Sequence, residues 1–405
     1  MTERYSGMTD QRSYQLVSLP GVDAPLRLFG NMPPVVINLR KTEDSRDVVH
    51  RAVQTLAEGK LVVFPTETVY GLAASARRAD GVRRIFEAKG RAHNSPLALA
   101  IRSVEDALDY APSLGVKAQR LARRCWPGPI TLVVKHGGDE SLLRQLPEEV
   151  RAAVAPNGEV GLRVPAHSAV LDVLHMLAGP IALTSANVSG QPDAVTAEEA
   201  IRNLGSHVGL VIDDGPCRYG QPSTVVRARD DSYECLREGV VPASALERLA
   251  SMLIVIVCTG NTCRSPMAEA LLRKLVAEQL GCKIEEVEQR GVLVSSAGVS
   301  AAPGGSAAPE AIATMKQRGL DLSRHESQPL TEKLVRQADV IFALTGAHRQ
   351  AIVRRWPEAE SRTFLVQPDN TDIEDPIGGP AEVYEQCALT IEDALRKQVK
   401  SLKLL

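Results

Sequence analysis

An excess of charge of either sign is missing from this chain. Across 405 residues, 47 Lys and Arg are set against 49 Asp and Glu, a formal net charge of −2. Without a basic excess to displace phosphate counterions, the composition argues against nucleic acid held mainly by counterion release. Long apolar runs are missing too. None reaches the ~18 residues that a membrane-spanning helix needs, and "MTERYSGMTDQRS" at the start holds no apolar signal core. Cysteine is thin: seven residues, an odd number spread along the chain, which reads as reduced thiols and not as a disulfide framework. The expected location is therefore the cytoplasm. The GxxxxGK[ST] phosphate loop is also absent, so any nucleotide has to be held by side chains and hydroxyls.

What is present is αβ alternation in two series. The length favours two or three domains. Residues 1–34 carry Pro and Gly without a sustained period and read as an irregular extension. From 35 to 240 the strands "VVINLR", "KLVVFPTE", "SPLALAI", "PITLVVK", "GLRVP", "PIALTSAN", "STVVRAR" and "YECLREG" are interspersed with helical segments such as "DSRDVVHRAVQTLAEG". This predicts a mixed α/β domain with an open cleft. Residues 241–251, "VVPASALERLAS" and its surroundings, read as a linker or a short terminal helix. A second series starts at Met252 with the continuous apolar strand "MLIVIVC" and runs to 405. Its strands alternate with helices of a length that predicts a doubly wound parallel sheet. No internal repeat relates the two halves.

The sharpest local signal is "MLIVIVCTGNTCRSPMAEA". The strand brings Cys258 to the carboxyl edge of its sheet, where α/β proteins place ligands. "TGNT" turns, and a helix starts at Ser265–Pro266, with proline suited to the first turn. A loop wound ahead of a helix N-terminus aims backbone N–H groups at one point and makes an anion site. Arg264 adds a planar fork for phosphate oxygens. Such a field favours the thiolate of Cys258, and Ser265 is placed to donate to the sulfur. Asp375, in "EDPIGGP" after the last strand, can protonate a leaving group and later activate water. Two blander readings compete: a zinc half-site, which needs a second ligand pair that is not found, and a structural loop holding two buried thiols.

These residues resemble the low-molecular-weight protein tyrosine phosphatase family over essentially all of 252–405, including "SSAG" and "LDLSRHESQPLT". The resemblance implies Cys258 as nucleophile, Arg264 as phosphate binder and Asp375 as general acid. The loop would be Thr259, Gly260, Asn261, Thr262, Cys263 and Ser265, with Asn261 and Ser265 tuning the thiolate. Tyrosine-directed members usually carry Ile where Thr262 stands and a Tyr pair after the Asp-Pro. "CTGNTCRS" and "DPIGG" look like the protein-arginine phosphatase branch, so phosphoarginine is the expected substrate and phosphotyrosine the alternative. That branch often places an aromatic where this chain has Ile377. Cys263 is expected to close a protective disulfide with Cys258 under oxidation. No metal is expected at this site.

In the first half, polar residues collect where strands end. "FPTETVYGLAA" carries Thr66, Thr68 and Tyr70, and "KGRAHNSPL" carries Lys89, Arg91 and Ser95. Arg163 follows in "GLRVP", Ser185 and Asn187 in "TSANVSG", Ser223 and Thr224 in "PSTVV", and Arg237 in "LREG". Each piece alone is usually a cap, a turn or a solvated helix end. Four cations from distant segments can instead line one cleft and suit a polyanion such as ATP.

In this order the set resembles the YrdC/TsaC family of threonylcarbamoyl-AMP synthases over about 42–240. The resemblance implies that L-threonine, bicarbonate and ATP with Mg²⁺ give threonylcarbamoyl-adenylate and pyrophosphate, an intermediate for the t6A modification of tRNA. By position, Thr68, Arg163 and Ser223 would contact threonine. Lys89, Arg91, Ser95, Ser185, Asn187 and Arg237 would serve ATP. The expected whole is a bifunctional enzyme whose partners are these substrates, the t6A transferase machinery and phosphorylated proteins. The competing reading makes one half a catalytically degenerate nucleotide- or RNA-binding or regulatory module.

Overall fold

All seven residues from Met252 to Cys258 are buried, as a strand covered on both faces must be. The computed structural model describes residues 33–90 and 95–402. Arg91 and residues 1–32 of the expected extension lie outside the described residues.

The first unit is built on strands β1 (Val35–Asn38), β2 (Val62–Phe64), β3 (Gly71–Ser75), β4 (Ala98–Ala100), β5 (Ile130–Lys135) and β6 (Glu159–Arg163). It continues with β7 (Ile181–Ser185), β8 (Leu210–Asp213), β9 (Thr224–Arg229) and β10 (Ser232–Arg237). They form one ten-stranded mixed sheet in the order β1-β8-β2-β3-β7-β4-β6-β5-β9-β10. Leu72, Ala74, Leu99 and Leu132 belong to the core on one face, and Phe64, Ala73, Ala100 and Ile181 to the core on the other. That period-two division of side chains is why each strand reads as nearly all apolar. The sheet mixes parallel and antiparallel pairs. β3 runs antiparallel to both β2 and β7, while β5 pairs parallel with β9.

The 241–251 segment is mostly helix, Ala243–Ala250. Leu246 and Ala250 are buried in the first unit's core, so this piece packs as part of that unit.

The second unit holds β11 (Met252–Cys258), β12 (Val292–Gly298), β13 (Val340–Ala343) and β14 (Thr363–Leu365), all parallel, in the order β12-β11-β13-β14. Helices Arg264–Leu280 and Ala381–Ser401 pack on one face, with Leu271, Leu272, Ile391 and Leu395 in that core. The other face buries Val255, Val257, Ile341 and Trp356. Among the described residues, no helix is long and apolar enough to cross a membrane.

Candidate active sites

β11 ends at Cys258, and the chain then folds over its own sheet edge before entering the helix Arg264–Leu280. Asn261 makes the turn in the left-handed region, with φ 55°, a conformation Asn tolerates better than most residues. It is fully buried and tied on every side. Its backbone N–H donates to the Cys258 sulfur (3.2 Å), and its Nδ2 donates to Ser265 Oγ and Ser296 Oγ (both 2.9 Å). Its Oδ1 accepts from the Gln328 N–H (2.8 Å), and its carbonyl faces His325 Nε2 at 2.7 Å. Ser265 Oγ in turn lies 2.9 Å from the sulfur. The helix opens with no side-chain cap, which leaves its first N–H groups for an anion.

The loop is braced from β12. A Cβ added at Gly298 would stand 2.5 Å from the Thr259 carbonyl and 3.0 Å from the Asn261 nitrogen, so only glycine fits there. Arg264 is almost fully buried. It donates through Nη1 to the Ile373 carbonyl (3.0 Å) and through Nη2 to Asp375. The expected nucleophile and cation, from one short loop, thus meet at one sheet edge with the acid, which lies 111 residues beyond Arg264. Thr262 lies beside Cys263, with Oγ1 3.7 Å from that sulfur. Cys258 and Cys263 are both free thiols, and Cys263 Sγ lies 3.5 Å from Tyr384 Oη.

The first unit opens into a cavity of about 810 Å³ lined by Thr66, Lys89, Ser95, Arg163, Ser185, Asn187, Ser223 and Arg237. Seven of these eight are site residues expected from the sequence, and they come from separate segments of the chain. Lys89, nearly fully buried, donates to the Ser185 carbonyl (2.6 Å), the Asn187 carbonyl (2.7 Å) and Asn187 Oδ1 (2.9 Å). It thereby clamps the Ser-x-Asn turn into the wall. Arg237 donates to the Ser223 carbonyl (2.7 Å) and to Ser223 Oγ (3.2 Å). Burial pulls its guanidinium below its ordinary range, opposed by the charge of Asp193. Thr68 is fully buried and stands behind Arg163 instead of on the cavity wall, its hydroxyl accepting from Nη2 at 2.8 Å. The same Nη2 donates to Glu67 at 2.7 Å, a pair with both side chains inside the protein.

Residues 54–239 match the family described as telomere recombination, and residues 253–404 match the one described as low molecular weight phosphotyrosine protein phosphatase. A putative threonylcarbamoyl-AMP synthase from Mycobacterium tuberculosis is 36% identical over 209 residues, 52% of this chain and 90% of that protein. A protein-arginine-phosphatase from Bacillus subtilis is 40% identical over 156 residues, 38% of this chain and 97% of that protein. The chain belongs to both families. It joins a synthase-family domain to a phosphatase-family domain. Against some relatives it falls short: it spans 60% of the threonylcarbamoyl-AMP synthase of Pyrococcus abyssi, at 36% identity over 217 residues or 53% of this chain.

The sequence assigns no role to two residues of the phosphatase-family site, His348 and Ser296. His348 is buried between Thr259 Oγ1 and Thr345 Oγ1, each 2.9 Å from a ring nitrogen. Burial, with the nearby Arg264 charge, pushes its pKa down to about 4, so it is neutral at pH 7. Ser296 receives from Asn261 and donates to Glu269 at 2.7 Å. A lone His looks ordinary, and the second Ser of "SSAG" has no evident role, until the fold brings both to the loop. In the synthase-family site, Glu67 is visible in the sequence only as a letter inside "PTETVYGL". Its second oxygen accepts from the Ala166 N–H at 3.0 Å, which fixes the carboxylate that orients Arg163.

Proposed function

We propose that the chain is a bifunctional enzyme: a threonylcarbamoyl-AMP synthase followed by a cysteine-dependent protein phosphatase whose substrate is phosphoarginine. The observation that carries the second half is the Cys258, Ser265, Asn261, Arg264 and Asp375 constellation around one helix N-terminus. The phosphoryl group enters the N–H cradle, and its oxygens take the Arg264 fork that Asp375 holds in the resting state. The Cys258 thiolate attacks phosphorus, and Asp375 gives its proton to the leaving nitrogen or oxygen. Asp375 then removes a proton from the water that cleaves the phosphocysteine. Thr262 favours phosphoarginine because a short side chain leaves room at the loop rim where a bulky Ile would stand.

For the first half, the cavity supplies charge neutralisation and positioning and no covalent nucleophile. Threonine's amine and bicarbonate give a carbamate with loss of water, and the carbamate oxygen attacks the ATP α-phosphate and expels pyrophosphate. Arg163 and Ser223 would hold threonine, with Thr68 acting through Arg163. Ser95, Ser185 and Arg237 would face ATP, with Lys89 and Asn187 shaping that wall. Mg²⁺ would come with the ATP phosphates and neutralise their charge, and Asp193 on the same wall offers a hard oxygen ligand. The product would feed the t6A machinery acting on tRNA in the cytoplasm.

Two measurements test this reading. Pyrophosphate release should require threonine and bicarbonate together; release indifferent to threonine ends the synthase assignment. Phosphoarginine peptides should be hydrolysed faster than phosphotyrosine peptides, and Thr262→Ile should reverse that order. A wild-type preference for phosphotyrosine would reject the phosphoarginine assignment.

A further inference from the structure

The two domains meet at a cluster of arginines around one carboxylate. Asp339, just before β13, faces three arginines on the helix Val116–Cys125 of the synthase-family domain. Arg124 Nη2 lies 2.7 Å from Oδ2, Arg120 Nε lies 3.3 Å from Oδ1, and Arg123 Nη2 closes on Oδ1. The Arg124 side chain is 3% exposed. Besides Asp339 it donates to the Gln337 carbonyl at 3.1 Å and to the carbonyls of Leu249 and Ser251, binding helix, connector and phosphatase-family domain together. From the same side, Arg336 donates through Nη2 to the Trp126 carbonyl at 3.3 Å.

Trp126 begins the short loop 126–129, which runs from this helix to the wall of the synthase cavity. Gly128 donates to the Val164 carbonyl (2.8 Å), and its own carbonyl accepts from Arg163 Nε (3.3 Å). The Pro129 carbonyl accepts from the Thr224 N–H (2.9 Å), next to Ser223. A Cβ at Gly128 would stand 2.2 Å from the Cys125 carbonyl, so the turn is packed directly on the helix end. One face of this loop thus holds the side chain of Arg163, proposed to bind threonine, and the backbone next to Ser223. The helix it grows from, and its first carbonyl, are gripped by the other domain.

We propose that Arg336 and Asp339 of the phosphatase-family domain are positioning residues of the synthase site, bracing residues 126–129 from outside and so fixing Arg163 at the threonine end of the cavity. This rests on the synthase reading. Arg336 and Asp339 touch no substrate; they act through the loop. Loosening the brace should therefore weaken threonine binding selectively, because Arg163 bonds the Gly128 carbonyl, whereas Lys89, Ser185 and Asn187 are tied to one another.

The test uses the full chain carrying Arg336→Ala, Arg336→Lys or Arg124→Ala. Pyrophosphate release gives the KM for threonine and for ATP, hydrogen–deuterium exchange follows the Gly128 amide, and aryl phosphate hydrolysis monitors the second domain. The alanine variants should raise the threonine KM about tenfold, the effect of losing a hydrogen bond or two. The ATP KM and phosphatase rate should stay within about twofold, and the Gly128 amide should exchange faster. Arg336→Lys should restore most of the threonine KM, since one ammonium N–H can reach the Trp126 carbonyl. Threonine and ATP KM rising together, or faster exchange with an unmoved threonine KM, would overturn the positioning role. Wild-type turnover without threonine would instead defeat the synthase reading, and the proposal with it.

Discussion

Ser265 Oγ lies 2.9 Å from the Cys258 sulfur while accepting a hydrogen bond from Asn261 Nδ2, also at 2.9 Å. With Asn261 on its acceptor side, the hydroxyl proton is directed at the sulfur and stabilises it as an anion. Ser265→Ala should therefore weaken the nucleophile and slow aryl phosphate hydrolysis by about tenfold or more. The rate of iodoacetate inactivation reads the thiol directly and should fall with it; a rate unchanged from wild type would contradict this role.

Asp375 shares a charged hydrogen bond with Arg264 and sits on an exposed loop, free to turn to a leaving group once phosphate occupies the arginine. Asp375→Asn keeps the shape and removes the proton. It should lower kcat by about 10²- to 10³-fold for poor leaving groups and much less for nitrophenolate, which needs no proton. Equal losses on both substrates would point to a structural role.

His348 should leave a mark on acid stability. Its folded pKa of about 4 lies below the ordinary 6.5, held there by burial and Arg264 against the opposing charges of Asp375 and Asp372. Between those values the unfolded chain binds more protons than the folded one, so stability rises with pH across the window. Wild-type melting temperature should then fall as pH drops from about 6.5 toward about 4. In His348→Gln that slope should shrink. An equally steep decline in the variant would show that other groups cause it.

Lys89 holds three oxygens of the Ser-x-Asn turn from inside the protein. Lys89→Met keeps the length and leaves those acceptors without their donor, costing the first domain about 2 kcal/mol. ATP-dependent pyrophosphate release should be lost, while aryl phosphate hydrolysis stays at the wild-type rate. Retained synthase activity with normal ATP affinity would show that the clamp is dispensable.

Short-range features are legible in the sequence because short-range physics sets them. The unbroken apolar run of β11 marks a strand buried on both faces, and Ser265–Pro266 marks the first turn of the helix Arg264–Leu280. Other features are not legible. The strand order of the ten-stranded sheet, with β3 antiparallel between β2 and β7, leaves no periodic trace. The segment at 241–251 reads equally as a linker, and the burial of Leu246 and Ala250 in the first core assigns it there. Thr68 is expected to contact threonine, yet its full burial puts it behind Arg163.

By itself the sequence determined the chemistry on offer: a thiol and a guanidinium in one short loop before a helix, and hydroxyls and cations at successive strand ends. That much follows from local turn and helix geometry. Only the tertiary structure decided which groups meet. Asp375 reaches Arg264 across 111 residues, His348 reaches Thr259 across 89, and Arg124 reaches Asp339 across 215. Each of these contacts depends on sheet register and on which helix faces bury together, and such long-range packing leaves no periodicity in the chain.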